Sequence, residues 1–436
     1  MAHSIEPADP ALSDLTETAR RVRRGARRLA RQNAAVKDDA LRAMAHSLRE
    51  QQSDILEANG QDLIQAREKG LDPAFIDRLV LDASRIDIMA QALEEVIALP
   101  DPVGGFDEIW VRPNGLKVGK KRIPLGVIGI IYESRPNVTS DAAALCLKSG
   151  NGVLLKGGSD AFHSNRAVFE ALRAGLEQSS LPEAAHDAIG FVQTTRRDAV
   201  RHMLGLSAEI DVIIPRGGKG LISFVTEHSR IPVIKHDEGI CHLVIEGSAR
   251  ADDVDAVALN SKTQRPGVCN TIETMLVLDN AVVPHLGRLL KKLAGAGVGL
   301  HLCERSMELA KSVGLDASTF TAATEEDFET EYLALELTVR IVEDLDEAIA
   351  HIDRYGSQHT ESLLTQDYAS SQRFIDEVDS SVVMINASTR FSDGNQLGLG
   401  AEIGISTTRM HAYGPMGLKE LTTTKFVVLG DGQIRP

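Results

Sequence analysis

Cysteine is scarce, with four residues (Cys146, Cys241, Cys269, Cys303) in a chain of 436. So few thiols over that length make no disulfide framework, and none forms a CxxC pair of the kind that holds zinc. The expectation is a reducing compartment, the cytoplasm, and no metal site. Positive charge is in deficit as well. Lys and Arg total 47 against 62 Asp and Glu, a formal charge of -15, which argues against nucleic acid or an anionic membrane as partner, since both call for a basic face. Phosphate-bearing ligands stay open, because a local Arg, Lys or glycine-rich turn can bind them against the global sign. Long apolar runs are missing too. The longest, Ile123 to Tyr132, is broken by Pro124 and two glycines and is too short to span a bilayer. No apolar signal core opens the chain. Arg20 to Arg31 is Arg-rich in the manner of a transit helix, but Glu6, Asp9, Asp14 and Glu17 are wrong for one, so the stretch reads as the solvated face of a first helix. Internal repeats and low-complexity segments are also lacking.

What is present describes a globular protein with more than one core. The hydrophobic fraction is 43% and the charged fraction 25%, as in soluble domains, and the length calls for two or three of them. From Leu12 to Leu99 the chain reads as helices. Leu41, Met44, Ala45, Leu48 and Ile55 recur at helical spacing, as do Ile86, Met89, Leu93 and Val96 after Ser84, the expected N-cap. Asp72-Pro73 marks another helix start. Residues 105 to 122 alternate around Pro113-Asn114-Gly115, which predicts a β-hairpin suited to a subunit interface. From Leu125 short apolar strands alternate with helices: Val127 to Tyr132, Val153 to Leu155, Ala188 to Val192, Val212 to Ile214 and Val233-Ile234. A second series follows Cys269, at Met275 to Leu278, Val298 to Leu302, Val339 to Val342, Ser362 to Leu364 and Val382 to Ile385. The pattern predicts two α/β units with parallel sheets covered on both faces.

The chemistry concentrates at Ser261 to Thr274. An Ala-rich helical run fades into Gln264-Arg265-Pro266-Gly267, where proline and glycine stop the helix and turn the chain. Cys269 then stands on a loop just before a strand. A thiol so held suits a nucleophile, while a lone cysteine equally suits a small buried hydrophobe. Asn137 follows Pro136 after the first central strand, where it would also serve as a cap for a helix starting near Asp141. Lys156-Gly157-Gly158-Ser159 ends the next strand, within reach of an adenosine ribose or its 2′-phosphate if a dinucleotide lies there, and is otherwise an ordinary loop. Gly217-Gly218 open a helix near Lys219, whose N–H groups suit a pyrophosphate, although the GxGxxG spacing is absent.

Together these segments resemble the aldehyde dehydrogenase superfamily. The likeness rests on the Cys269 stretch and, in order, on Tyr132-Glu133-Ser134-Arg135-Pro136-Asn137-Val138-Thr139, Pro215-Arg216-Gly217-Gly218-Lys219-Gly220 and Gly398-Leu399-Gly400-Ala401-Glu402-Ile403-Gly404-Ile405-Ser406. It runs over nearly the whole chain, and within the superfamily it is closest to the branch that acts on L-glutamyl 5-phosphate in proline biosynthesis. The resemblance implies an aldehyde dehydrogenase-like α/β fold: two doubly wound parallel-sheet domains plus a small β oligomerisation flap. Residues 1–104 and 125–235, with part of 400–420, would form the dinucleotide-binding domain. Residues 236–399 would form the catalytic domain, and 105–124 with 421–436 the oligomerisation hairpin and tail of a homodimer or homotetramer. The tail strand Val427-Val428-Leu429 has no evident partner in its own chain, so its apolar edge is expected to be covered by another subunit.

The implied activity is NADPH-dependent reduction of L-glutamyl 5-phosphate to L-glutamate 5-semialdehyde, run in reverse as an NADP-dependent phosphorylating dehydrogenase. Cys269 is the implied nucleophile, and Asn137 the side-chain donor to the substrate's carbonyl oxygen. Lys156, Ser159, Gly217, Gly218, Ser223 and His411 are the implied cofactor-binding residues. Departures from the oxidising branch point the same way. That branch has a glutamate before a Gly-Gly pair as base for hydrolysis, where aligning Gly239 puts His236; a shifted register would put Asp237 or Glu238 there instead. It also has a glutamate that holds the nicotinamide ribose, where this chain has His411. An enzyme that exchanges its acyl group with phosphate should lack a carboxylate that activates water. Arg135, Arg265 and Arg390 lie beside these motifs and are candidates for the substrate's carboxylate or phosphate. Other readings are a different oxidoreductase of the superfamily, a cysteine hydrolase built on Cys269 and a histidine, or a non-catalytic scaffold.

Overall fold

The computed structural model describes residues 9–236 and 238–435, apart from the side chains of residues 73 and 74. The chain forms two compact units: residues 1–235, 399–404 and 416–436, and residues 236–398 and 405–415.

The first unit opens with helices α1 (Pro10–Leu29), α2 (Ala34–Glu50), α3 (Gln52–Glu68), α4 (Pro73–Leu79) and α5 (Ala83–Ala98). Asp9 caps α1, accepting from the Ala11 N–H ahead of a proline already set for a first turn. For α5 the cap is Asp82, which accepts from Arg85 N–H, and not Ser84. The carboxylate lies in extended backbone one residue before the helix, so the helix begins ahead of the serine. Next come β1 (Phe106–Val111), β2 (Lys117–Pro124), β3 (Val127–Tyr132), α6 (Asn137–Lys148), β4 (Gly152–Gly157), α7 (Phe162–Gln178), α8 (Glu183–His186), β5 (Ile189–Phe191), α9 (Asp198–Met203), β6 (Val212–Arg216) and α10 (Lys219–His228). Strands β5-β4-β3-β6 form a parallel sheet in that order. The chain winds one way from β3 through β5 and then returns to β6 on the other side of β3, which makes a switch point there. Leu15, Ala19, Val22 and Ala26 of α1 pack with Val127, Ile131, Leu154 and Ile213 of the sheet in one buried core. The expected strand at Val233-Ile234 is only a single bridge from Val233 to Ile213.

The second unit holds β7 (Cys241–Ile245), α11 (Ala251–Thr263), β8 (Ile272–Leu278), α12 (Asp279–Ala281), α13 (Gly287–Gly295), β9 (Gly299–Leu302), α14 (Glu304–Ser312), β10 (Phe320–Ala322), α15 (Glu325–Phe328), β11 (Glu336–Val342), α16 (Leu345–Tyr355), β12 (Thr360–Leu364), α17 (Tyr368–Glu377) and β13 (Val382–Ile385). Its parallel sheet runs β10-β9-β11-β8-β7-β12-β13. Alternate residues of the central strands feed opposite cores. Met275 and Val277 pack with Val254, Ala258, Leu289 and Leu293, while Leu276 and Leu278 pack with Leu345, Ile349 and Phe374. Both faces are therefore covered, as a parallel sheet requires.

After β14 (Gly404–Ser406) and β15 (Gly414–Met416) the chain ends in β16 (Thr422–Leu429). This strand corrects one expectation. The tail does have a partner in its own chain, because β16 lies antiparallel to β2, with Val428 opposite Val118, in a three-stranded sheet β1-β2-β16. The hairpin leaves β2 one open edge about 300 residues back in sequence, and the tail fills it. Among the described residues no helix is long and apolar enough to cross a membrane, and no group of three or more His, Cys, Asp or Glu is placed to hold a metal ion.

Candidate active site

In the second unit, α11 ends with Gln264 in the C-cap position and the chain turns through Pro266 and Gly267 to Cys269, three residues before β8. The turn is held at several points. Thr271 donates through its N–H to Val268 O at 3.1 Å and through its hydroxyl to Arg265 O at 2.7 Å. Asn270 Nδ2 donates to Ser392 O at 2.8 Å. Beneath the turn, Lys262 of α11 and Glu273 of β8 are both fully buried, with Nζ 2.5 Å from Oε2 and 2.9 Å from Ile272 O. Burial pushes the Glu273 carboxyl up to about 7 and pulls Lys262 down, each against the attraction of the other. The pair ties the last turn of the helix to the start of the strand, so the loop between them has fixed ends.

A second strap comes from the segment before β7. The Cys241 thiol donates to the carbonyl of Cys269 at 3.1 Å. Gly239 lies so close to that carbonyl that a Cβ on it would sit 2.1 Å from the oxygen. The segment is anchored in turn by Gly239 N–H to Glu331 Oε1 at 3.0 Å and Ile240 N–H to Ser357 Oγ at 2.9 Å. Of the four thiols, Cys146 and Cys241 are buried, and burial raises both. Cys303 is half-buried and its sulfur accepts from Ser306 Oγ and Ile341 N–H. Cys269 is half-buried on its loop. Beside it stand the arginines. Arg390 donates through Nε to Gln264 Oε1 at 2.8 Å, and its pKa is lowered by burial and by the like charge of Arg265, with Asp393 and Cys269 pulling the other way. Guanidinium groups that repel one another are both relieved by a neighbouring anion, and a guanidinium near a thiol favours its thiolate form.

In the first unit the carboxyl ends of β3, β4 and β6 lie side by side, with Tyr132 opposite both Gly157 and Arg216. This edge collects Asn137, Lys156, Ser159, Gly217 and Gly218 at the switch point, where open α/β sheets bind ligands. Lys156 is buried, its Nζ donates to Gly157 O at 2.8 Å, and burial pulls its pKa down to about 8. Gly217 and Gly218 open α10, with Gly218 N–H donating to Glu133 Oε2 at 2.9 Å. A Cβ on Gly217 would meet that same oxygen at 2.5 Å. Ser159 is exposed at the start of a short turn, and Ser223 is exposed one turn into α10.

This chain has close counterparts among known proteins. No family model matches the chain. A gamma-glutamyl phosphate reductase of Geotalea daltonii is 54% identical over 407 residues, covering 93% of this chain and 95% of its own. The chain belongs to the gamma-glutamyl phosphate reductase family. The crystal structure of a gamma-glutamyl phosphate reductase from Thermotoga maritima superposes with a TM-score of 0.92 at 44% identity, over 97% of this chain and all of that one. An acetylating aldehyde dehydrogenase from Geobacillus thermoglucosidasius shares the fold, with a TM-score of 0.69 at 15% identity over 98% of each chain.

Placed in a chain of this family, the residues singled out from sequence divide between the units. Asn137, Lys156, Ser159, Gly217, Gly218, Ser223 and Arg135 belong to the first; Cys269, Arg265, Arg390, His236 and His411 belong to the second. His411 is exposed in left-handed backbone, φ 76°. His236 is half-buried with its ring 5.8 Å from that of His359, and Asp237 lies outside the described residues. Asn137 does not cap a helix near Asp141. It is the first residue of α6, and its Nδ2 donates to Asp141 Oδ2 at 2.9 Å. Sequence reading missed Cys241, the Lys262–Glu273 pair, Glu133 and Asp141. Only the last had a local signal, an Asn–Asp pair four apart, which a helix start placed four residues late concealed.

Proposed function

We propose that this reductase converts L-glutamyl 5-phosphate to L-glutamate 5-semialdehyde and phosphate, with NADPH as cofactor and a thioacyl intermediate on Cys269. The observation that carries this reading is the Cys269 loop, a partly exposed thiol on a backbone tied down from two sides beside a pair of arginines. The thiolate attacks the acyl carbon, and the carbon–oxygen bond to phosphate breaks, its electron pair leaving with the phosphate. Arg265 and Arg390, with Arg135 as the further candidate, hold the substrate's phosphate or carboxylate through paired N–H donors. Asn137 donates an amide N–H to the carbonyl oxygen, where negative charge grows as sulfur adds. A donor in that role contributes about 3–4 kcal/mol of transition-state stabilisation. NADPH, when bound, supplies the hydride that reduces the thioester. The resulting thiohemiacetal loses the Cys269 sulfur to give the semialdehyde.

The edge that collects Lys156, Ser159, Gly217 and Gly218 fits a phosphorylated dinucleotide. Among the described residues no carboxylate is paired with the buried Lys156 ammonium, and a 2′-phosphate would supply the missing charge. Gly217, Gly218 and Ser223 would take the pyrophosphate side, and His411 the nicotinamide ribose. The first unit is then the dinucleotide domain, the second the catalytic domain, and the β1-β2-β16 sheet the oligomerisation flap. A cytoplasmic setting agrees with four free thiols.

The test is the reverse reaction, with semialdehyde and NADP+ followed by NADPH formation. If His236 takes the aligned base position and neither Asp237 nor Glu238 activates water, the thioacyl enzyme should wait for phosphate, so phosphate-free buffer should allow at most one turnover per site. Cys269→Ser should still bind NADPH but lose essentially all turnover, because a neutral hydroxyl lacks the thiolate's nucleophilicity. Multiple turnovers without phosphate, or more than a few per cent activity in Cys269→Ser, would overturn the reading.

A further inference from the structure

The side chain of Asn137 has two N–H donors and one carbonyl acceptor. One donor is already committed, to Asp141 Oδ2 at 2.9 Å, one turn along α6. Residues four apart share a helix face. Asn137 is exposed and Asp141 half-buried, so the carboxylate stands behind the amide and leaves the second N–H on the open side. An ionised carboxyl only accepts hydrogen bonds. An amide turned end for end would set oxygen against oxygen, so Asp141 decides which end of Asn137 faces inward.

We infer that Asp141 is a positioning residue for the oxyanion donor, its carboxylate holding the Asn137 amide so that one N–H stays aimed at the charge that develops on the substrate's oxygen. The inference rests on the role proposed above for Asn137. It also predicts an acid limb in the rate. Burial raises the Asp141 carboxyl to about 6, against the opposing pull of the Asn137 amide, Arg216 at the end of β6 and the Ser140 hydroxyl. Above that value the group is ionised and accepts. As pH falls through about 6 it takes up a proton and becomes a donor. Its best bond is then to Asn137 Oδ1, which reverses the amide and moves the N–H away from the substrate.

The experiment measures kcat of the reverse reaction at saturating phosphate between about pH 5 and 8, for the unmodified enzyme, Asn137→Ala, Asp141→Ala, Asp141→Asn and the double Ala variant. Asn137→Ala should lose about 100-fold or more. Asp141→Ala should lose about tenfold in kcat with little change in KM for NADP+, and should cost nothing further in the Asn137→Ala background, since a residue acting through another has no effect once that other is gone. Asp141→Asn offers a donor as well as an acceptor, as the protonated acid does, so its rate should lie near the low-pH rate of the unmodified enzyme and show no acid limb near pH 6. If Asn137→Ala turns over normally, the oxyanion reading itself fails. If Asn137→Ala is crippled while Asp141→Ala is not, or if the two losses multiply, only the positioning role fails. Should Asp141→Ala fold poorly, Asp141→Asn decides alone, and an unchanged acid limb overturns the proposal.

Discussion

At the scale of single residues, the groups that matter here are ones whose ordinary partners are missing or replaced. Lys156 is a buried ammonium whose ordinary charge is disfavoured by burial, at about 8. If a 2′-phosphate meets it, the bound-state pKa must rise, and linkage then fixes the sign of the pH dependence. Affinity for NADPH should be full below about 8 and fall up to tenfold per pH unit above it, while affinity for NADH, which lacks that phosphate, should not follow. Fluorescence titrations of both cofactors at neutral and alkaline pH check this; a constant NADPH to NADH ratio would remove Lys156 from the 2′-phosphate site. Lys156→Met should abolish the pH-dependent preference.

At the scale of elements, the Cys269 loop is set by its neighbours more than by its own residues. The helix before it and the strand after it are joined by the Lys262–Glu273 pair, and the 239–241 segment presses on its carbonyl. Gly239→Ala would bring a Cβ to 2.1 Å from Cys269 O, and that oxygen belongs to backbone, which cannot swing aside as a flexible side-chain end can. The expected outcome is a displaced thiol: a loss of about 100-fold in turnover, as a shift near 1 Å can cost, with cofactor affinity unchanged. Normal kcat in Gly239→Ala would mean that the strap is loose. Glu273→Ala should act on stability instead, leaving Lys262 buried and unpaired at a cost of about 3–5 kcal/mol, read as a lowered midpoint in denaturant.

At the scale of the whole molecule, the three-stranded sheet is the unfinished part. Ile109, Val111, Phe426, Val428 and Leu429 are each more than half exposed there, although β16 is paired to β2 in its own chain. Trp110 and Phe426 meet edge to face across this sheet, with ring centroids 6.4 Å apart. Exposed apolar surface of this kind is what a protein interface would cover, as the proposed flap requires. The native chain should sediment as a dimer or tetramer, and Ile109→Glu combined with Phe426→Glu should shift it towards monomer. A stable monomer of the native chain would sink the flap's role.

Sequence alone was enough wherever the deciding interactions are local. Apolar runs mark β3 and the Met275–Leu278 end of β8, because strands buried on both faces carry few polar positions. Pro266 and Gly267 end α11 without help from elsewhere, and so present Cys269. Pairings across long sequence gaps were decided only by the tertiary structure. Strand β7 begins Cys241-His242, and a histidine is tolerated in that core because His242 bonds Glu361, 119 residues later, through both Nδ1 and its backbone N–H. The tail found β2, and Glu273 is tolerated in a buried strand only through Lys262. A buried polar group is stable only with its partner in place, and no local pattern states which distant residue that partner is.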